Sequence, residues 1–267
     1  MLLGTSARAE GPAAGGEFIN VRQLGATGDG KTDDTKAFQR ALDAAGETHG
    51  AVFVPAGVYI CAELQMHPNT ALVGVPTWDY RSTGGTVIRL LNPGASCLLN
   101  ITGAWGSTVD GLALDGRNLG KGVNGIFLNK PTYGKREDAF RIERCQVRSF
   151  SGDGLNLTRA WCFSVRHSML AGNQGDGLRL RGWDGFLVDN WFSGNHGAGY
   201  GALAGFVDRF VATGGVRPCQ QFRRRRQFLA GDPLHAFRHR LMRIEIIGHC
   251  LVSPSDAVKD AGAPAGA

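Results

Sequence analysis

Three segments recur at a fixed step: "FRIERCQV" from Phe140, "FSVRHSML" from Phe163 and "FLVDNWFS" from Phe186 stand 23 residues apart. A second register agrees, with "GDGLNL" from Gly152 and "GDGLRL" from Gly175 at the same spacing and "GAGYGA" from Gly197 after 22. "STVDGLALDG" marks an earlier turn of the repeat, 33 residues before the Phe140 segment, and the extra ten residues fit a loop inserted around "KPTYGKRED". Each unit reads as short alternating strands broken by Gly, Asn and Asp, with no room for a crossover helix. Such a unit cannot bury its own apolar face and must stack on its neighbours. The pattern predicts an all-β solenoid, a right-handed parallel β-helix, over residues 17–205. Coils roughly 4.8 Å apart would set Phe140, Phe163 and Phe186 in one inward ladder and Ile142, Val165 and Val188 in a second. Glu143, Arg166 and Asp189 would form an outward row of alternating sign.

Upstream, "GATGDGKT" (Gly25 to Thr32) fits the phosphate-loop pattern letter for letter. A nucleotide loop follows a buried parallel strand within βαβ units. Here Asn20, Arg22 and Gln23 interrupt the preceding strand, and Asp29, Asp33 and Asp34 would present negative charge to the phosphates. An EF-hand calcium loop fails too, because Asp34 stands where the glycine is required. The residues fit a structural role: Gly25, Gly28 and Gly30 make turns, and Thr32 or Asp33 caps a helix. Ala37, Phe38, Ala41, Leu42 and Ala45 then form the apolar stripe of a short N-terminal capping α-helix that seals the open end of the solenoid. No nucleotide partner is expected.

The run "FINVRQLGATGDGKTDDTKAFQRALDAAG" followed by "GAVFVPAGVYI" resembles the opening of the pectate lyase superfamily, in its rhamnogalacturonase/epimerase-like β-helix domain. The likeness is close over residues 18–60 and looser to about 205. It implies a polysaccharide-acting protein, secreted or periplasmic, with a groove along one outer face of the coils. The family's catalytic signatures do not carry over. The Asn-Thr-Asp, Asp-Asp, Gly-His-Gly and Arg-Ile-Lys set of polygalacturonases is missing from the coils, as is the Tyr-Gly-Phe-Asp-Pro-His motif of alginate epimerases. Hydrolase, lyase and epimerase all stay open, alongside a non-catalytic carbohydrate-binding or surface module.

The candidate chemistry lies in the turns. Asp153 and Asp176 occupy equivalent places in two "GDGL" turns, so stacking would bring their carboxylates to about 5 Å, near the separation of a retaining glycosidase. Like charges that close push one pKa upward. Gly-Asp-Gly is equally the chemistry of a tight turn, in which Asp caps its own backbone. His196, in "GNHGAG", is a candidate substrate contact or a solvated turn residue. Arg179 and Arg181 alternate with Leu178 and Leu180 and should point outward, where their guanidinium groups suit an acidic sugar or simply keep the surface soluble. In a lyase, Arg179 would abstract the proton with calcium neutralising the uronate; otherwise no cofactor is expected.

Charge is local. Residues 206–243 carry nine arginines against Asp208 and Asp232, so the basic balance of +6 belongs to one aperiodic segment. That distribution does not suit a nucleic-acid footprint spread over a fold. The arginine tract could grip a polyanion, the segment is solvated or disordered, or a reading-frame shift has replaced real coils; residues 244–267 read as a coil-like remnant and tail. Residues 1–16 read as a frayed or signal-like terminus, with Ala7-Arg8-Ala9 resembling a cleavage site. The six cysteines are scattered without zinc spacing and read mainly as buried apolar residues. No apolar run approaches membrane-spanning length. Oligomeric state is left open.

Overall fold

The computed structural model describes residues 18–79, 84–198, 200–202 and 209–211. Within them the chain coils as a parallel β-helix of three faces. The first face stacks Phe18–Asn20, Ala51–Phe53, Ala71–Val73, Thr108–Asp110 and Arg141–Glu143 in parallel register. The second stacks Asp29–Asp33, Gly57–Cys61, Thr86–Leu90, Ala113–Asp115, Gln146–Arg148, Met169–Ala171 and Trp191–Ser193. The third stacks Leu64–Gln65, Cys97–Asn100 and Asn124–Asn129. Two long strands, Leu155–Arg166 and Leu178–Val188, bend around the corner and serve the third face with their first halves and the first face with their second.

Alternation places one side chain in two inside. On the first face Val52, Leu72, Val109, Ile142, Val165 and Leu187 form a column of register partners, each at most 1% exposed. The second face contributes Ile88, Leu114, Val147, Leu170 and Phe192, and the third Leu64, Leu99, Ile126, Leu155 and Leu178. Burying this much aliphatic surface is the main source of stability. Cys61, Cys97 and Cys145 belong to the same interior as free thiols, pushed up in pKa by burial. Cys162 is also free and half-buried.

The expected phenylalanine ladder holds for one step and then breaks. Phe140 and Phe163 stack with centroids 5.6 Å apart and planes at 16°. Phe186 does not follow them: Gly185 is the register partner of Phe163, and Phe186 is 44% exposed. The cause is a bulge between Thr158 and Ala160, where Arg159 takes a left-handed conformation (φ 61°). A bulge leaves one residue of its strand unpaired, so the step shortens from 23 to 22 and Leu187, not Val188, completes the second ladder. Arg166 accordingly faces Val188 rather than Asp189.

Turns repeat as faithfully as strands. Gly111, Arg144, His167 and Asp189 all have φ between 48° and 69° and mark the corner between the first and second faces. Side-chain oxygens tie each turn to the next coil: Asn190 Oδ1 accepts the Ser168 N–H at 3.0 Å, and Asn195 Oδ1 accepts the Asn173 N–H at 3.1 Å. These bonds satisfy buried main-chain groups that the sheets leave over. The insertion shows as a 33-residue step from Thr108 to Arg141, with the surplus in the loop 130–139.

The helix Thr35–Thr48 lies across the N-terminal end and buries Ala37, Phe38, Ala41, Leu42 and Ala45, as the stripe requires. Its cap differs from expectation. Asp34 occupies the N-cap position, but its carboxylate turns back to accept from Thr27 N–H (2.7 Å) and Gly28 N–H (3.2 Å). Asp33 accepts the Thr35 N–H at 2.9 Å, while the Thr32 hydroxyl donates to Asp29. Amides of the "GDGKT" turn, those of Lys31 and Thr32, point into the Asp29 carboxylate, each at 2.8 Å. These bonds hold its pKa down at about 2.

No helix among the described residues is long and apolar enough to cross a membrane. The N-terminal residues 1–16, the tail 244–267 and, apart from Arg209–Val211, the basic segment 206–243 lie outside the described residues. Arg209–Val211 adds a rung, with Phe186 opposite Arg209.

Candidate functional site

On the third face the outward positions form two rows. One runs Gln65, Asn100, Phe127, Asn156, Arg179; the other Asn129, Thr158, Arg181. The rows change from amide and hydroxyl to guanidinium toward the C-terminal coils. Where the first row meets the preceding turn, Asp153, Asp176 and Arg179 come together.

The local sequence explains the cluster. In "NG", "GDG" and "GDG" turns one polar side chain per coil reaches the main chain of the next coil. Asn124 Oδ1 accepts the Asp153 N–H at 3.0 Å, Asp153 Oδ1 accepts the Asp176 N–H at 2.8 Å, and Asp176 Oδ1 accepts the Ala198 N–H at 2.7 Å. The glycines are needed for room: a Cβ on Gly175 would meet the carbonyl of Gly152 at 2.8 Å, besides the Asp153 carboxylate. The second carboxylate oxygens face Arg179, whose Nε lies 3.0 Å from Asp153 Oδ2 and 3.2 Å from Asp176 Oδ2. Sharing one Nε keeps these two oxygens no more than about 6 Å apart, so the two carboxylates are close neighbours across one coil. Asn156 Nδ2 also donates to Asp153 Oδ2 at 2.8 Å.

Access differs along the cluster. Side-chain exposure is 6% for Asp153, 15% for Asp176 and 48% for Arg179, so the guanidinium is what a ligand meets first. Burial pushes the Asp153 carboxyl up, against the pull of the Asp176 amide and Arg179. Arg181 stands exposed in the neighbouring outward row, two residues along the same strand and about 7 Å from Arg179 in strand geometry. His196 is also exposed, but it rides on the turn, its main-chain N–H bonded to Asn173 O at 2.9 Å. The five sequence candidates thus divide into a bonded trio, an exposed neighbour and a turn residue on the rim.

No grouping of three or more His, Cys, Asp or Glu side chains able to hold a metal ion occurs among the described residues. Arg179 already answers the Asp153 and Asp176 charges, so this pair of carboxylates does not fit a calcium site.

Residues 18–203 match the family model described as rhamnogalacturonase A/epimerase, pectate lyase-like. The chain belongs to that family. Among pectate lyase-like relatives, the mannuronan C5-epimerase AlgE3 of Azotobacter vinelandii is 31% identical over 199 residues, covering 64% of this chain and 10% of that protein. Depolymerase 1, capsule K30/K69-specific, of Klebsiella phage K5-2 is 28% identical over 200 residues, covering 70% of this chain and 24% of that protein. The solved A-module of the A. vinelandii mannuronan C-5 epimerase AlgE4 superposes with a TM-score of 0.61 at 27% identity, over 74% of this chain and 56% of the module. This pectate lyase-like chain therefore spans a tenth to a quarter of these two curated relatives, and it is related to polysaccharide-acting epimerases and depolymerases.

Sequence reasoning passed over Tyr133, Trp161 and Trp183, which cluster at the corner beside Arg181. Their signal was available in part: two tryptophans 22 residues apart, out of phase with the 23-residue repeat of the coils.

Proposed function

We propose that this chain engages an acidic polysaccharide lying across the coils of the third face, with Arg179 and Arg181 as its anion contacts and His196 at the rim. The observation that carries the reading is the Arg179 guanidinium, half exposed yet held from below by the buried Asp153 carboxylate and the partly buried one of Asp176. A guanidinium fixed in this way loses little rotamer freedom on binding a carboxylate. Relatives named for mannuronan and for bacterial capsule support the polymer class. Placement in a secreted or periplasmic compartment belongs to the same proposal, since such polymers lie there.

A second reading gives Asp153 and Asp176 the chemistry: their shared contact with Arg179 and the raised Asp153 carboxyl suit an acid beside a base or nucleophile. The experiment compares purified protein with Arg179→Gln, Asp153→Asn and Asp176→Asn on acidic and neutral oligosaccharides, following binding calorimetrically and turnover by product analysis. Under the first reading Arg179→Gln abolishes binding of acidic oligomers. Under the second both aspartate variants bind but lose turnover. Wild-type protein that binds neither class refutes both.

A further inference from the structure

Beyond the Asp–Asp–Arg cluster the two long strands bend, and three aromatic rings gather at the bend. Trp161 and Trp183 are register partners with centroids 6.0 Å apart. Tyr133, from the inserted loop 130–139, lies 5.0 Å from Trp183. All three are partly exposed, on an outer corner of the solenoid and not in its core.

The rings are framed. Lys130 Nζ donates to both oxygens of the buried Asp138, at 2.8 and 2.7 Å. Asp138 Oδ2 in turn accepts the Trp161 N–H at 2.7 Å, and Arg159 Nη1 donates to Lys130 O at 2.6 Å. The Trp161 indole N–H is taken up by Asp184 at 3.0 Å. Trp183 Nε1 is buried and has no acceptor among the described residues, so the position uses the area of the indole and not its donor. The inserted loop thus carries a phenol ring to two indoles and is held in place by the ion pair between the partly buried Lys130 and the buried Asp138.

We infer that Tyr133, Trp161 and Trp183 form a stacking subsite for one pyranose ring of the polysaccharide, with Arg181 beside it to meet a carboxylate on that ring. This rests on the polysaccharide reading above. A pyranose offers a face of C–H groups and an edge of hydroxyls. The face packs on an aromatic surface, burying apolar area against the negative face of the π system, and leaves the edge free for polar partners. Arg181 precedes Trp183 by two residues on the same outer side of the strand, placing charge at the edge of the platform.

The test titrates wild-type protein with an oligouronate and with its carboxyl-reduced, neutral counterpart, by calorimetry and saturation-transfer NMR. Tyr133→Ala removes the loop's ring while leaving the strands of the coils untouched, and should raise Kd about tenfold for both oligomers. Arg181→Gln should weaken the oligouronate alone. Trp183→Phe, which removes the unpaired donor, should keep the wild-type urea midpoint, and it separates lost binding from lost folding. Saturation transfer should fall mainly on ring C–H protons. Undiminished affinity in Tyr133→Ala and in Trp161→Phe, with the wild-type protein still binding, overturns the subsite but leaves the polysaccharide reading intact. A wild-type chain that binds neither oligomer overturns both.

Discussion

Gly185→Ala is a single methyl group placed where the bulge at Arg159 has brought the chain. A Cβ at this position would lie 2.6 Å from Phe163 Cε2 and nearer still to the rest of that ring edge. Carbon contacts settle at about 3.5–4.0 Å, so the overlap is roughly 1–2 Å. The Phe163 ring cannot swing away, because Phe140 is stacked on its other side at 5.6 Å. Overpacking a filled core costs about 1–3 kcal/mol, and the pinned ring argues for the upper half of that range. In a domain of this size the expected fall in Tm is roughly 4–10 °C. Urea unfolding should show a lower midpoint at unchanged slope. Phe163→Leu in the same background should recover part of the loss, a coupling of about 1 kcal/mol or more. Phe186→Ala, on an exposed ring, should cost less than about 1 kcal/mol. The opposite pattern, with Gly185→Ala neutral and Phe186→Ala costing the ~3–5 kcal/mol of a core phenylalanine, would falsify the 22-residue step.

Three further outcomes follow. Lys130→Met strands Asp138 beneath the corner loop and should destabilise by on the order of 2 kcal/mol, short of the ~3–5 of a fully buried pair, read by chemical denaturation; an unchanged midpoint would show that the pair holds nothing. Asp29 is held at about 2, from an ordinary 3.8, by the Thr32 and Lys31 amides. Its contribution is present above pH 3.8 and lost as pH falls through about 2, so the urea midpoint should drop over that window and drop less in Asp29→Asn. Asp153 has the opposite sign: its raised carboxyl favours folding below the unfolded-state value and loses that contribution as pH rises through the folded one, so Asp153→Asn should flatten the stability profile between those two values.

Most of the architecture was legible because a solenoid writes its own period: Phe140 over Phe163, Leu155 over Leu178 and the helix stripe from Ala37 to Ala45 all follow from spacing. What escaped was a single residue. Arg159 carries nothing in its identity to announce a left-handed bulge, and a phenylalanine at the expected count, Phe186, disguised the slip. The turn role of Asp153 and Asp176 could be read from Gly-Asp-Gly, but their joint hold on Arg179 could not, because it depends on which way three side chains lean across two coils. The aromatic corner was hidden for a related reason. Tyr133 is 28 residues from Trp161 and 50 from Trp183, and only a loop without periodicity brings it there.

That loop leaves the chain at Lys130 and rejoins it by Ala139, yet Thr108 and Arg141 still meet as though nothing intervened. The spine of the molecule is indifferent to what hangs from this corner, provided the two ends return to the same rung. Residues 131–137 are therefore a natural cassette. Grafting a different excursion between the same anchors should change the relief of this corner while the stack beneath keeps its melting behaviour.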